Sequence, residues 1–471
     1  MNTPATLSQQ VATFLASLTP NDVPQPVRAR AALVMLDAIG TALAASRYPF
    51  APVALSALSS LGSGDSVVIG MDARLALRDA AVMNGILVHG LDYDDTYLPG
   101  SVHLSASSVP TVLALGAQRK ASGMAVLIAC ALGLEISARI AQAAQGGFVN
   151  AGFHATGIAG AFGAAAAAGR LLQLNAEQHA LAQGIALSFT ASTLQPLQEG
   201  AWTKRVHPGW AGSSGITAAA FAKSGYVGPM QAYDGRFGLY TCFLGEHARN
   251  ARPEMVIEEL GKKWEFTRTS IKLYPACHQL HAFMNASIHL AKNEAFNADN
   301  VESVRALICD AAVPLVCEPL EAKLKPNGSY AAQFSLPYAV ACALQRGHFG
   351  LNEIEAPAYT DQSLLALANK VKYEIDPHPG FPKSRSGEII VTMKDGRILR
   401  KRDEILPDEP ASAADIIDKF EQNAEAVLLR TGVERLRDTV LGLEQVADVN
   451  QLVALLSGHA KAINTVRAVN A

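Results

Sequence analysis

The sequence predicts a mainly α-helical protein: a large all-helical domain that carries a smaller inserted α+β domain. Three observations lead there. At 471 residues the chain exceeds one ordinary hydrophobic core, so two domains are the starting expectation. Hydrophobic residues make up 49% and charged residues 17%, which suits a globular chain with a large core and excludes a disordered one. Strand-like alternation is confined to one middle region, with helical periodicity on both sides of it. The expected boundaries are 1–266 for the first helical part, 267–407 for the α+β part and 408–471 for a helical return.

In chain order, 5–17 and 26–46 carry helical periodicity, punctuated by Pro20, Pro24 and Pro26. Ala32, Met35, Leu36, Ile39 and Leu43 mark one face of the second. Residues 50–60 continue as helix, LGSGDS makes a turn, and 74–90 is helical up to Gly90. Val109 to Leu134 holds buried helices with Gly123 in a turn between them. Further helices are expected around 175–192 and from Ala211 to Lys223. In the middle region 301–308 alternates as a strand, and 386–404 reads as a hairpin. Its Asp395-Gly396 dipeptide suits a type I′ turn. Helices are expected near 278–292, 330–346 and 361–371, then over 412–430 with Ser412 as N-cap, and near 434–442 and 448–463.

The 30-residue stretch from Ile140 to Gly169 carries no charge. At that length a membrane span must be considered. Gln142, Gln145, Asn150, His154 and Thr156 lie within it and bulky apolar residues are few. It reads instead as a loop, GGFVNAG, running into a buried helix of small residues that neighbours can approach closely. His154 sits near the helix start, where free backbone N–H groups favour an anion. The bland alternative is a satisfied core histidine.

Three other places gather chemistry-bearing residues. Asp92, Asp94 and Asp95 are followed by Thr96 and His103. Clustered carboxylates repel, so they belong to a solvated helix cap, a metal site or an acid/base cluster. Lys204, Arg205 and His207 come together in a loop before a helix, which makes either an anion site or a solvated basic turn. Lys272, Tyr274, Cys277, His278 and His281 fall within ten residues. If a helix begins near Cys277, then Cys277 and His281 form an i, i+4 pair on one face.

Composition excludes other classes. A net charge of −3 with no basic stripe argues against nucleic acid. The N-terminal stretch lacks a basic run before its apolar part, so it reads as a helix and not as a signal peptide, and a cytoplasmic location is the default expectation. None of the six cysteines forms a CxxC pair, and most are expected to be buried free thiols. There is no P-loop and no GxGxxG following a strand, so no cofactor is expected, and no metal.

Five ordered segments, LDYDDT with its following histidine, GFHATG leading into FGAAAAAG, GAWTKRVHPGWAGSSGITAAAFAKSGYVGP, KLYPACHQLH and AQFSLPYAVA, together resemble the MmgE/PrpD family over nearly the whole chain. That family includes 2-methylcitrate dehydratase, cis-aconitate decarboxylase and iminodisuccinate epimerase. The resemblance implies a large helical domain with an inserted α+β lid, a homodimer, an active site between the domains and cofactor-free chemistry. It also implies that Asp92, Thr96, His103, His154 and Lys204 are site residues. Two departures stand out. Cys277 falls where the decarboxylase has a catalytic histidine, with His278 adjacent and His281 matching a second histidine. His103-Leu104-Ser105 replaces the common His-Pro-Ser.

All three of those activities move a proton at a carbon next to a carboxylate. A base with a near-neutral pKa and a cation to offset developing charge are needed. The expected catalytic set is therefore His103, His154, Lys204, Asp92, Cys277 and His281, with Thr96, Arg205, His207, His278 and Lys272 binding substrate. The expected function is a lyase acting on a small di- or tricarboxylate by dehydration or decarboxylation. The alternatives are an epimerase or isomerase on an iminodisuccinate-like dicarboxylate, and a non-catalytic carboxylate binder.

Overall fold

Side chains supplied by the sequence mark the helix starts. In the computed structural model, which describes residues 5–292, 296–381, 383–406 and 411–457, α1 (Leu7–Ser17) opens with a reciprocal capping box of Thr6 and Gln9. There follow α2 (Gln25–Ala45), α3 (Phe50–Ser59), a two-stranded antiparallel ribbon of β1 (Ser66–Val67) and β2 (Arg74–Leu75), and α4 (Leu77–His89). The helix expected over 74–90 thus begins later, because Arg74 and Leu75 pair with the ribbon. Next come α5 (Ser105–Arg119), α6 (Gly123–Ala143), α7 (Gly147–Asn150), α8 (Ala155–Leu171), α9 (Ala176–Leu187), α10 (Gln195–Glu199), α11 (Val206–Lys223) and α12 (Leu239–Leu244). Gly123 is the first residue of α6 and not a turn residue, since Ser122 accepts the Ala125 N–H as its N-cap.

The chain divides into two compact units, Met1–Ile271 with Pro410–Ala471, and Lys272–Glu409. In the first unit α8 is central and buried along nearly its whole length. Small residues make that possible. A Cβ on Gly215 of α11 would lie 2.5 Å from the Ala164 Cβ of α8, so only hydrogen fits at that crossing. At a second crossing, between α4 and α11, a Cβ on Gly85 would lie 2.3 Å from the Gly209 Cα. The expected small-residue helix before Lys223 begins at Val206 instead of Ala211, so His207 stands in its first turn and not in a loop.

The helix α6 is long and apolar enough to cross a membrane, but 89% of its most apolar window is buried in the protein. It is a core helix that also buries an ion pair, Arg139 with Glu135. Arg139 donates to the carbonyls of Glu258 (2.6 Å) and Lys263 (2.7 Å), and Glu135 accepts the Phe266 N–H (3.0 Å). A buried pair needs such extra bonds to offset desolvation.

The second unit contains α13 (His281–Ala291), β3 (Val301–Ile308), α14 (Val313–Val316), α15 (Leu320–Leu324), α16 (Ser329–Gln333), α17 (Leu336–Arg346), α18 (Ala356–Tyr359), α19 (Gln362–Ala368), β4 (Val371–Ile375), β5 (Arg385–Met393) and β6 (Ile398–Ile405). The sheet order is β4-β3-β5-β6, with β3 and β4 parallel and the other pairs antiparallel. Val301, Val304, Ala306 and Ile308 of β3 join one core with Phe283 and Met284 of α13 and residues of α17. Three expectations change here. The helix expected over 330–346 is broken between α16 and α17, where the Ser335 hydroxyl caps a new start by accepting the Tyr338 N–H. The helix expected over 361–371 ends at Ala368, and Val371 opens the strand β4. The hairpin turn is not type I′: among the described residues positive φ occurs at Gly396 (+86°) but not at Asp395. The Gly396 N–H donates to the Met393 carbonyl, and the Met393 N–H donates to the Arg397 carbonyl. That is a three-residue loop with glycine in the left-handed position.

The return carries α20 (Ala413–Glu425), α21 (Arg430–Leu441) and α22 (Asn450–Leu456). Ser412 caps α20 as expected. The remainder of the helix expected over 448–463 lies outside the described residues past 457.

Candidate active site

The site is assembled from the ends of α4, α8 and α11 and from the turn between α4 and α5. The crossing at Gly85 and Gly209 fixes its geometry. His89 lies one turn beyond Gly85 and ends α4, while His207 lies two residues before Gly209. His154 is the N-cap residue of α8. The His103 N–H donates to Thr156 Oγ1 in the first turn of α8 (3.1 Å), which ties the turn to that helix.

The three aspartates have separate duties. Asp95 is buried, so it is not a solvated cap. It accepts the N–H groups of Leu104 (3.3 Å) and Ser105 (2.9 Å) at the start of α5, and the Thr269 hydroxyl (2.7 Å). It therefore holds the turn that delivers His103. Asp94 lies between two imidazoles: 2.9 Å from His89 Nδ1 and 3.4 Å from His103 Nδ1. Burial alone would raise its pKa, but the two imidazoles outweigh that and hold the carboxyl well below the ordinary range. Asp92, at a left-handed φ of +50°, accepts from Lys204 Nζ at 3.0 Å. A short polar side chain tolerates that backbone conformation better than most. Lys419 of α20 anchors the same turn, donating to the Tyr93 carbonyl (2.7 Å) beside the buried Asp37 (2.6 Å).

His89 is a site residue that the sequence reading passed over. Its Nδ1 donates to Asp94, and its Nε2 accepts from Lys204 Nζ at 3.0 Å. Its ring lies 4.5 Å from that of His103 and 5.4 Å from that of His154. Burial is the chief cause that lowers its pKa to about 3, against the pull of Asp94. Burial, then Lys204, holds His154 well below 6.5 and brings His207 to about 4. These three rings are neutral at pH 7. His154 Nδ1 is 3.1 Å from His207 Nδ1. Its Nε2 and the Thr96 Oγ1 are buried and have no hydrogen-bond partner among the described residues. Such atoms are available to hydrogen-bond a ligand.

Ligand-capable atoms of His89, His103 and His154, and of His89, Asp92, Asp94 and His103, lie within 4.8 Å of one another. In both sets the Lys204 ammonium already takes His89 Nε2, and in the second also Asp92. A fixed cation thus takes up part of each set.

The structure thus brings Asp92, Thr96, His103, His154, Lys204 and His207 together with His89 in the first unit. Arg205 is turned to other partners: its Nε donates to the Gly90 carbonyl (2.7 Å) and its guanidinium lies 4.8 Å from the centre of the Phe50 ring. Lys272, Cys277, His278 and His281 belong to the second unit. There Cys277 precedes a short 3-10 turn and α13 starts only at His281, so the expected i, i+4 helical pair does not form. His281 instead pairs with His278, ring centroids 4.6 Å apart, and its Nε2 lies 3.3 Å from the Ala276 carbonyl. The six cysteines are free, five of them buried.

Comparison with known proteins finds relatives over nearly the whole chain. The MmgE/PrpD N-terminal domain matches residues 9–251 and the MmgE/PrpD C-terminal domain matches 274–445. A cis-aconitate decarboxylase-like protein of Aspergillus oryzae is 28% identical, covering 96% of this chain and 98% of its own. The cis-aconitate decarboxylase of Aspergillus terreus is 26% identical over 97% of each chain. That of Mus musculus is 28% identical over 96% of this chain and 93% of its own. With both family domains matched in order along the chain, this protein belongs to the MmgE/PrpD family.

Proposed function

We propose that this protein is a lyase that decarboxylates a small tricarboxylate of the cis-aconitate kind, without a metal or organic cofactor. The observation that carries this reading is the buried group of neutral imidazoles around one lysine, with His154 Nε2 and Thr96 Oγ1 left open. The relatives' activity supports the choice of decarboxylation over dehydration.

The chemistry follows from the groups present. When a carboxylate leaves as CO₂, its electron pair moves through the alkene towards a carbon next to a remaining carboxylate. That carbon must then receive a proton. A neutral imidazole that carries hydrogen on Nε2 can supply it, and His154 is the ring placed to do so, while His103, with its Nδ1 towards Asp94, turns Nε2 to the site as an acceptor. The Lys204 ammonium offsets charge on a substrate carboxylate, and Thr96 Oγ1 holds another oxygen. Asp94 accepts from Nδ1 of His89 and faces Nδ1 of His103, which fixes the tautomers of both. The same reading includes a homodimer, as in the family at large.

The test is an NMR and mass comparison in D₂O of cis-aconitate, citrate, 2-methylcitrate and iminodisuccinate, each with and without EDTA. The expected result is CO₂ loss from cis-aconitate with one deuterium in the product, unchanged by EDTA. Water loss from 2-methylcitrate would make the protein a dehydratase. Deuterium uptake by iminodisuccinate with no leaving group would make it an epimerase. Tight binding of every acid with no exchange would leave a carboxylate binder.

A further inference from the structure

A neutral imidazole that gives up its Nε2 hydrogen must gain a proton at Nδ1 if it is not to become an anion. His154 is buried, and the fold leaves its two ring nitrogens in different settings. Nε2 has no hydrogen-bond partner among the described residues, while Nδ1 lies 3.1 Å from His207 Nδ1. The ring centroids are 5.3 Å apart and tilted by 50°. Two neutral imidazoles can approach nitrogen to nitrogen only if one of the two carries the hydrogen between them. Two arrangements satisfy that. Either His207 donates, and His154 carries its hydrogen on Nε2 as an acid, or His154 donates, and its Nε2 is a free base.

We propose that His207 is the proton-relay partner of His154, handing a proton to the buried ring as that ring gives up another. The proposal rests on His154 being the proton-transfer group. In the forward direction the His154 Nε2 hydrogen goes to the substrate carbon. The hydrogen on His207 Nδ1 moves to His154 Nδ1, and His207 Nε2 takes a proton from water. One proton has then passed from water to carbon, and both rings are neutral again as their other tautomers. The pair resets when water entering the site protonates His154 Nε2, the Nδ1 hydrogen returns to His207 Nδ1, and His207 Nε2 gives its proton back to water. His207 acts through His154, which makes it a positioning and relay residue.

The fold fixes this contact from the sequence upwards. His154 is held at the N-cap of α8, and His207 in the first turn of α11. Those helices pack closely where Gly215 meets Ala164. The charged group that most affects His207 is Lys204, which together with burial keeps the ring neutral and able both to give and to take a proton.

The test pairs two variants with a spectrum that needs no substrate. His207→Asn keeps a hydrogen-bonding group beside His154 Nδ1 but passes no proton through. It should lower kcat on cis-aconitate about a hundredfold, with KM changed by less than about threefold. His207→Ala should fall similarly and recover as imidazole is added. In ligand-free protein labelled with ¹⁵N-histidine, both Nδ1 signals should show averaging between hydrogen-bearing and bare states, and in His207→Asn the His154 signals should settle into one tautomer. Wild-type kcat in His207→Asn, or a single static tautomer for both rings in the wild type, would overturn the relay. If the wild type turns over no acid at all, the substrate reading has failed instead, and the ¹⁵N signals alone decide on the relay.

Discussion

At the scale of single residues, the ionisable groups of the site hold one another in place. Lys204 is held between Asp92 and His89, so its charge stays at a fixed point. His89 in turn is oriented by Asp94. Replacing His89 with Asn should let the ammonium drift, lowering kcat by about tenfold to a hundredfold. Lys204→Ala should lower it by about a hundredfold or more. Steady-state kinetics beside thermal melts will check both, and wild-type kcat in His89→Asn would mean that His89 is only core packing. Much of this was legible in the sequence: the aspartate cluster, His103, His154 and Lys204 stand in motifs of unusual composition. His89 was not, because a histidine among the apolar residues of α4 carries no local signal. Only the fold of the chain brings it to Lys204, 115 positions away. The division of labour among the aspartates was hidden for the same reason, since Asp95 finds its partner in Thr269, 174 positions on.

At the scale of elements, glycine placement sets the active-site distances. A Cβ on Gly209 would lie 2.2 Å from the Val82 carbonyl oxygen, so α4 and α11 would have to separate. Gly209→Val should cost about 1–3 kcal/mol of stability, and should reduce kcat by more than that loss of folded protein explains, because His89 and His207 move apart with their helices. Urea unfolding and kcat measured on the folded fraction check this; an activity loss no greater than the loss of folded protein would show that the crossing does not set the site. The sequence displayed the small residues but not which helices they serve. It also misplaced element starts wherever tertiary contacts overruled periodicity. Val206 to Trp210 join a helix that local pattern began at Ala211, and Val371 leaves a predicted helix to pair in parallel with Val304. The Cys277–His281 pairing failed on the same point, since a helix start four residues later removes it.

At the scale of the whole molecule, burying neutral histidines ties stability to pH. His89 is lowered to about 3, His179 and His207 to about 4, and His154 well below its usual value of 6.5. In the unfolded chain these rings take up protons as pH falls below 6.5, and in the native protein they do not. Stability is therefore lost on acidification from 6.5 towards 4. Asp37, raised to about 6, and Glu135, also raised, oppose this by taking up protons in the native state. Four histidines against two carboxyls leave a net loss of stability on acidification. Unfolding midpoints at pH 7, 6 and 5 should fall in that order, and a flat series would mean that the rings protonate within the native fold. The two-part helical and α+β composition was legible from the confinement of strand alternation to one region, because burial on one face of a sheet leaves that trace in the sequence. The proposed proton transfer comes down to one ring. The measurement to make is the turnover of cis-aconitate by His154→Ala, with its melting temperature taken alongside. Proton transfer by His154 predicts a loss of about a hundredfold or more at an unchanged melting temperature. Retained turnover with a collapsed melting temperature would instead make His154 a core histidine and remove the proposed chemistry.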